Sequence, residues 1–148
     1  MSSLADRSCS VCNYDTPKLS YGDILIFLEG FPSWVFLGNE VTIHKNFFFS
    51  NFEEALVFFN KVASIAIKEN HHPEMTIHRY RNVRVVLKTY AVFGLTENDF
   101  IMAAKIDTVY SGFGPSQKKT FLSFLEKHFN FLYRIFIKFG VVNQSRMP

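Results

Sequence analysis

The chain has 148 residues, the size of a single domain with a short extension. Apolar residues make up 48% of the sequence and 18 residues are phenylalanine, which excludes disorder of the whole chain. The formal net charge is +3 at pH 7, and the basic surplus lies in residues 111–148, where Glu126 is the lone acidic residue. The remaining sequence is nearly neutral, which argues against direct nucleic-acid binding because that function needs a basic surface.

The amino-terminal residues 1–20 are rich in Ser, Asp, Asn and Cys and predict a loose leader. The leader has no apolar stretch typical of a signal peptide, and no segment offers the ~18 uncharged apolar residues of a spanning helix. Cys9 and Cys12 are the only cysteines, too few for a disulfide framework, which favours a cytoplasmic protein. Their spacing would suit zinc or redox chemistry, but no further ligand lies nearby in the sequence. We therefore interpret them as two incidental thiols and predict no metal site.

An apolar run at 21–28 leaves its secondary structure open, and clear signals begin at Trp34. Two short strands are predicted at 34–37 and 47–49, separated by the turn residues 38–40. Ser50 and Glu53 have the spacing of a capping box, with Ser50 as the N-cap of an amphipathic helix. The apolar positions that follow it have helical spacing: Phe52, Ala55, Leu56, Phe59, Val62, Ala63, Ala66 and Ile67.

Two apolar residues of this helix, Phe58 and Ile65, lie off the main stripe. We interpret them as an oligomer contact, and a wider core stripe is the alternative. Beyond Pro73, residues 80–90 predict a strand with four side chains on one face: Val83, Val85, Leu87 and Thr89. Thr96, with Asp99 three residues later, predicts the start of a second helix that ends near residue 110.

Residues 112–116 break the pattern, and a third helix is predicted after them. It has a heptad seam: Leu122, Leu125, Phe129, Leu132, Phe136 and Phe139. We expect this seam to pack against protein, with contact of the basic helix with a membrane surface as the alternative. The order of elements predicts an α+β fold. We assign residues 1–20 to the leader, 21–110 to the domain, and 111–148 to a basic, apolar helical extension.

The densest chemical signal is the loop Asn70-His71-His72-Pro73-Glu74 between the first helix and the long strand. Imidazole exchanges protons near neutral pH, so such a pair can serve acid–base chemistry. Taken alone, the pair is better interpreted as a feature of an exposed loop or an incidental metal binder.

The chain from Trp34 to about Tyr110 resembles the pterin-4a-carbinolamine dehydratase family, also known as the dimerisation cofactor of a homeodomain transcription factor. The matching pieces occur in the family's order: Trp34, Phe47–Phe52, Ala55–Ala66, His71–Glu74, Tyr80, Val83–Thr89, Gly94–Asp99 and Ala103–Asp107. The resemblance implies an antiparallel sheet with helices packed on one face. It also implies a homodimer through edge strands or a homotetramer through the capped helix, located in the cytoplasm and also the nucleus.

The family's reaction is the loss of water from 4a-hydroxy-tetrahydrobiopterin to give quinonoid dihydropterin, a step of tetrahydrobiopterin recycling. One group protonates the departing hydroxyl and another accepts the proton from N5, so no metal or redox cofactor is implied and the pterin is the substrate. The resemblance makes His71, His72 and Tyr90 the catalytic candidates. Residues expected to bind the substrate are Asn70, His71, His72, Pro73, Lys88, Thr89, Tyr90, Asp99 and Trp34.

Two positions depart from the family pattern. Tyr90 stands where the family has a third histidine, and Ile67 stands at an acidic position, although Glu69 is close by. A phenol near pKa 10 can donate a proton but cannot act as a base at neutral pH, so we expect weakened catalysis. The alternative is a catalytically faded scaffold that uses the same surface to bind a partner protein.

Overall fold

The computed structural model describes residues 3–39 and 41–114 of the chain. Its helices are α1 (Tyr21–Glu29), α2 (Phe52–Glu69) and α3 (Glu97–Ser111). Its strands are β1 (Val35–Leu37), β2 (Thr42–Phe48), β3 (Glu74–His78) and β4 (Asn82–Leu87), which pair antiparallel in the order β1-β2-β4-β3. The α+β class with an antiparallel sheet is therefore confirmed.

Alternate residues of the two central strands point into the core beneath the helices. Ile43 pairs with Leu87 and Phe47 pairs with Val83, and all four side chains are fully buried. The predicted inward face of β4 is therefore confirmed. The opposite face of the sheet carries polar side chains, among them Arg84, and this open face matters for the site described below.

The strand predicted over 80–90 corresponds to β4, which is the second strand of a β3–β4 hairpin. β3 precedes it, and the connecting residues Arg79 and Tyr80 both have left-handed backbone conformations. β3 escapes sequence recognition because it is an edge strand with only two apolar residues, Met75 and Ile77. For a similar reason β2 begins five residues before the predicted phenylalanine run, since its open face is polar.

The cap of α2 lies one residue later than predicted. Asn51, not Ser50, is the N-cap, and its side-chain oxygen accepts the Glu54 backbone N–H at 2.8 Å. Glu54 in turn accepts the Ser50 backbone N–H at 3.0 Å, so the acidic partner is Glu54 rather than Glu53. The apolar run at 21–28, left open by the sequence, forms α1 because Ser20 and Asp23 make a complete capping box.

The assignment of Phe58 to an oligomer contact is wrong. Its side chain is 0% exposed and stacks among core aromatics, and Ile65 also packs against the core. The helix is rotated relative to the predicted stripe, so that Ile67 is 74% exposed and Phe52 and Leu56 also face outward. The buried stripe is therefore shifted towards Phe58 rather than simply widened, and the alternative of a wider core stripe is correct only in placing Phe58 and Ile65 in the core.

Residues 3–19 pack against the body, in contrast to the predicted loose leader. Arg7 pairs with Glu97 of α3, and the Leu19 backbone N–H donates to Leu95 O at 2.8 Å. The predicted helix after residue 116 lies outside the described residues. Within 3–39 and 41–114, no helix has both the length and the apolar character needed to span a bilayer.

Candidate functional site

The histidine loop begins at a sharp turn that ends α2. Asn70 adopts the left-handed conformation (φ 51°), which asparagine tolerates better than most residues. The turn directs the following residue inward, and the His71 backbone N–H bonds to Ala66 O at 3.2 Å. The His71 side chain is only 6% exposed and its Nε2 lies 2.9 Å from Asp99 Oδ1. His72, the next residue, is exposed.

Asp99 is the centre of a buried polar network. It is 0% exposed, and its Oδ2 accepts the Thr96 backbone N–H and the Thr89 hydroxyl, each at 2.8 Å. Its other oxygen contacts His71. One carboxylate therefore joins three segments that are distant in sequence: the histidine loop, the end of β4 and the start of α3. The capping role predicted for Asp99 is confirmed, and the same carboxylate also contacts His71.

The second ring nitrogen of His71 faces the leader. Nδ1 lies 3.7 Å from the Cys12 sulfur. Cys12 also accepts a hydrogen bond from the side-chain amide of the buried Asn98 at 3.0 Å. Both ring nitrogens of His71 thus have protein partners in this structure.

Tyr90 lies just beyond β4 with an exposed ring. Its hydroxyl donates a hydrogen bond to the Glu74 carboxylate at the start of β3, and Lys88 lies 5.9 Å from the ring centre. The hydrogen bond to Glu74, together with burial and the negative charge of Glu74, raises the pKa of Tyr90. The phenol therefore remains protonated at neutral pH, with its hydrogen directed to Glu74.

A groove of about 610 Å³ lies on the open face of the sheet beside this pair. Its lining combines charged, hydroxyl and apolar side chains: Asn39, Val41, Thr42, Glu74, Thr76, Arg84, Val86, Lys88, Tyr90 and Phe93. Two predicted binding residues, Lys88 and Tyr90, are in this lining. His71, Thr89 and Asp99 instead form the buried network behind the end of β4.

The remaining predicted residues divide between the loop and the core. Asn70 and His72 are exposed on the loop, and Pro73 is partly buried beside them. Trp34 lies apart from the loop: it is buried, and its indole N–H donates to Asp107 at 3.1 Å. Lys45 completes that separate cluster through an ion pair with Asp107 at 2.8 Å.

Sequence reasoning missed several participants. Glu74 belongs to the loop motif, and its acidic side chain two residues after His72 is a usable signal for a site residue. Nothing in the sequence indicated that Asn98 would hold the leader, or that Cys12 would contact His71.

In the described part of the chain, no group of three histidine, cysteine or acidic side chains is arranged to hold a metal ion.

The fold and the histidine–carboxylate network define a small α+β domain with groups suited to acid–base chemistry. Residues 17–109 match the family described as pterin 4 alpha carbinolamine dehydratase. Two curated relatives carry the name "Putative pterin-4-alpha-carbinolamine dehydratase". The one from Saccharophagus degradans is 40% identical, covering 76% of this chain and 100% of the relative. The one from Nitrosospira multiformis is 41% identical, covering 72% and 92% respectively.

A crystal structure of a transcriptional coactivator/pterin dehydratase from Brucella melitensis is also similar, with a TM-score of 0.60 and 30% identity. The match covers 64% of this chain and 99% of that one. The chain belongs to the pterin-4a-carbinolamine dehydratase family.

Proposed function

We propose that this protein catalyses the dehydration of a 4a-hydroxy-tetrahydropterin to quinonoid dihydropterin, as a step of tetrahydrobiopterin recycling in the cytoplasm or nucleus. The observation that carries the proposal is the hydrogen-bond network in which Asp99 joins His71 to Thr89. This network ties the histidine loop to the end of β4, next to Tyr90. A polar network at this depth is costly unless every member is satisfied, which supports a functional reason for it.

The proposed reaction needs two proton transfers and no electron donor or acceptor. His72 is the exposed imidazole of the loop and exchanges protons with the substrate. His71 is held by Asp99 behind the end of β4 and fixes the position of the loop that carries His72. The neutral phenol of Tyr90 donates its one hydrogen to Glu74 in this structure. With substrate bound, it turns from Glu74 and donates a hydrogen bond to the departing hydroxyl. The pterin is the substrate, and the reaction uses no cofactor.

A dehydration assay on enzymatically generated 4a-hydroxy-tetrahydropterin tests this proposal. We expect the parent chain to accelerate water loss above the uncatalysed rate, and His71→Ala to abolish most of that acceleration. A parent chain that leaves the uncatalysed rate unchanged, although correctly folded by circular dichroism, would remove the enzymatic proposal.

Tyr90 provides a second, more specific prediction. Tyr90→His restores an imidazole at the end of β4 and should raise kcat by roughly tenfold with little change in KM, because a proton-transfer group acts mainly in the transition state. Tyr90→Phe is the matched control: it keeps the ring, loses the hydrogen bond to Glu74 and should lower kcat. If Tyr90→His is no faster than the parent, the phenol already suffices or is not involved.

A catalytically faded scaffold that binds a partner protein is the second candidate. Two observations favour it: both ring nitrogens of His71 have protein partners, and Tyr90 replaces an imidazole. The dehydration assay separates the two candidates, since a scaffold would show no turnover in the parent chain and none in Tyr90→His.

We also propose that the protein is a homo-oligomer, with edge strands joining a dimer and α2 contributing to a tetramer. The support is an exposed apolar stripe along α2, formed by Phe52, Leu56 and Ile67 at helical spacing. An exposed stripe of this kind is readily buried against a second copy of the same helix.

Replacing both Leu56 and Ile67 with glutamine should shift the sedimentation of the full chain to a smaller species. The change removes apolar contacts from the stripe without touching the core, because both side chains point outward. Glutamine at Lys61, an exposed residue of the same helix, is the matched control and should leave the size unchanged. Unaltered sedimentation of the double variant would exclude this stripe as the interface.

A further inference from the structure

Cys12 is the first of three side chains in a chain of contacts. Its sulfur lies 3.7 Å from His71 Nδ1, and His71 Nε2 lies 2.9 Å from Asp99 Oδ1. A thiol, an imidazole and a carboxylate in this order have the geometry by which proteins activate a nucleophile: a base beside it and a third group that orients the base.

The carboxylate determines which ring nitrogen of His71 can accept a proton. Asp99 Oδ2 already accepts hydrogen bonds from the Thr96 N–H and the Thr89 hydroxyl at 2.8 Å, and a longer one from the Thr96 hydroxyl at 3.5 Å. Asp99 Oδ1 then accepts the proton-bearing Nε2 of His71. The lone pair of Nδ1 is left facing the Cys12 thiol, so the thiol proton has an acceptor.

Asn98 holds the sulfur in this position. Its side chain is buried, and its amide nitrogen donates to Ser10 O at 2.7 Å and to the Cys12 sulfur at 3.0 Å. Its amide oxygen accepts the Ser10 backbone N–H at 3.0 Å. Cys12 is only partly buried, so a small reagent can reach it.

The neighbouring thiol, Cys9, has the opposite environment and serves as an internal comparison. Burial raises the pKa of Cys9 to about 12, and the nearby Glu69 carboxylate adds to this shift. Glu69 accepts the Cys9 backbone N–H at 2.8 Å and pairs with Lys105 at 3.2 Å. The Cys9 sulfur itself is directed to the Asn98 carbonyl oxygen rather than to an imidazole.

We propose that Cys12 is a nucleophilic cysteine and a covalent modification site for soft carbon electrophiles, such as alkyl halides and α,β-unsaturated carbonyls. With iodoacetamide, the sulfur forms a bond to the methylene carbon, the carbon–iodine bond breaks and iodide leaves with the electron pair. The thiol proton passes to His71 Nδ1 and from there to water. The proposal does not rest on the dehydration activity, because no pterin takes part, although the two sites share His71.

The test is alkylation of the full chain with iodoacetamide at neutral pH, followed by peptide mapping of both cysteines. Because His71 Nδ1 can accept the thiol proton as the sulfur attacks, Cys12 should react about fivefold faster than glutathione. Cys9 should react at least about tenfold more slowly than glutathione, because its raised pKa leaves almost no thiolate.

Two variants test whether the His71 imidazole accounts for the alkylation rate of Cys12. His71→Gln should bring the Cys12 rate down to that of glutathione or below, and Glu97→Gln should leave it unchanged. Glu97 is the matched control because it lies on the first turn of α3, two residues from Asp99, and pairs with Arg7 instead. If His71→Gln unfolds the chain, Cys9 will label as well, and the comparison of parent Cys12 with glutathione then decides. A parent rate no higher than that of glutathione, or a folded His71→Gln variant with the parent's rate, overturns the proposal.

Discussion

Replacing His72 with alanine should lower the kcat of pterin dehydration by about 10²–10⁴-fold, the usual contribution of a positioned acid–base group. The free energy of unfolding should change by no more than about 0.5 kcal/mol, because His72 is exposed on the loop. The substitution should therefore change kcat while leaving the free energy of unfolding almost unchanged. Steady-state kinetics and urea unfolding of the same preparation measure both effects.

His78→Ala is the matched control for the loss of one imidazole. His78 lies at the opposite end of β3 from Glu74, so it is remote from the histidine loop. We expect its kcat to stay within about twofold of the parent, since it takes no part in proton transfer. Equal losses of kcat in the two variants would show that the effect of His72→Ala is not catalytic. A fully active His72→Ala variant would show that another residue is the acid–base group.

Replacing Asp99 with alanine should lower the free energy of unfolding by about 3–5 kcal/mol. The substitution leaves three buried partners without their acceptor: the Thr96 N–H, the Thr89 hydroxyl and the His71 ring. Each unsatisfied group costs about 1–3 kcal/mol. Urea unfolding should show the loss directly, and Tm should fall by more than about 10 °C.

Glu97→Ala is the comparison for this result. Glu97 occupies the same first turn of α3, but it pairs with Arg7 at the surface, where both side chains are more than two-fifths exposed. Exposed ion pairs contribute about 0–1 kcal/mol, so this variant should remain close to the parent. Similar losses at the two positions would mean that charge at the helix start, rather than the buried network, accounts for the stability of this region.

The two predictions together distinguish the histidines of the loop. His72 should affect turnover alone, whereas His71 should affect turnover and stability, since it is a member of the Asp99 network. If His71 and His72 both affect only stability, and neither the parent nor any variant shows turnover, the catalytically faded scaffold becomes the favoured function.

The sequence by itself determined the class of the fold and most of its helical elements. The apolar periodicity after Asn51 and the Thr96–Asp99 spacing are local signals, because capping and amphipathic patterns are read within a few residues. The inward face of β4 followed from strict alternation in the same way. The family motif supplied His71, His72 and Asp99 as site candidates.

Only the tertiary structure decided which face of α2 is buried and where β3 runs. The apolar arc of α2 is wider than the core can cover, so the sequence could not choose between Phe58 and Leu56. β3 depends on pairing with β4 for its register, and an edge strand with a polar face carries little signal of its own.

The contacts of the leader with the rest of the domain could also not be predicted from the sequence. Cys12 reaches His71 across 59 positions, and Ser10 reaches Asn98 across 88. Both contacts depend on how three separate segments converge at the start of α3. Local sequence patterns do not predict such contacts, because hydrogen bonds between residues far apart in the chain depend on how the segments pack in the folded domain.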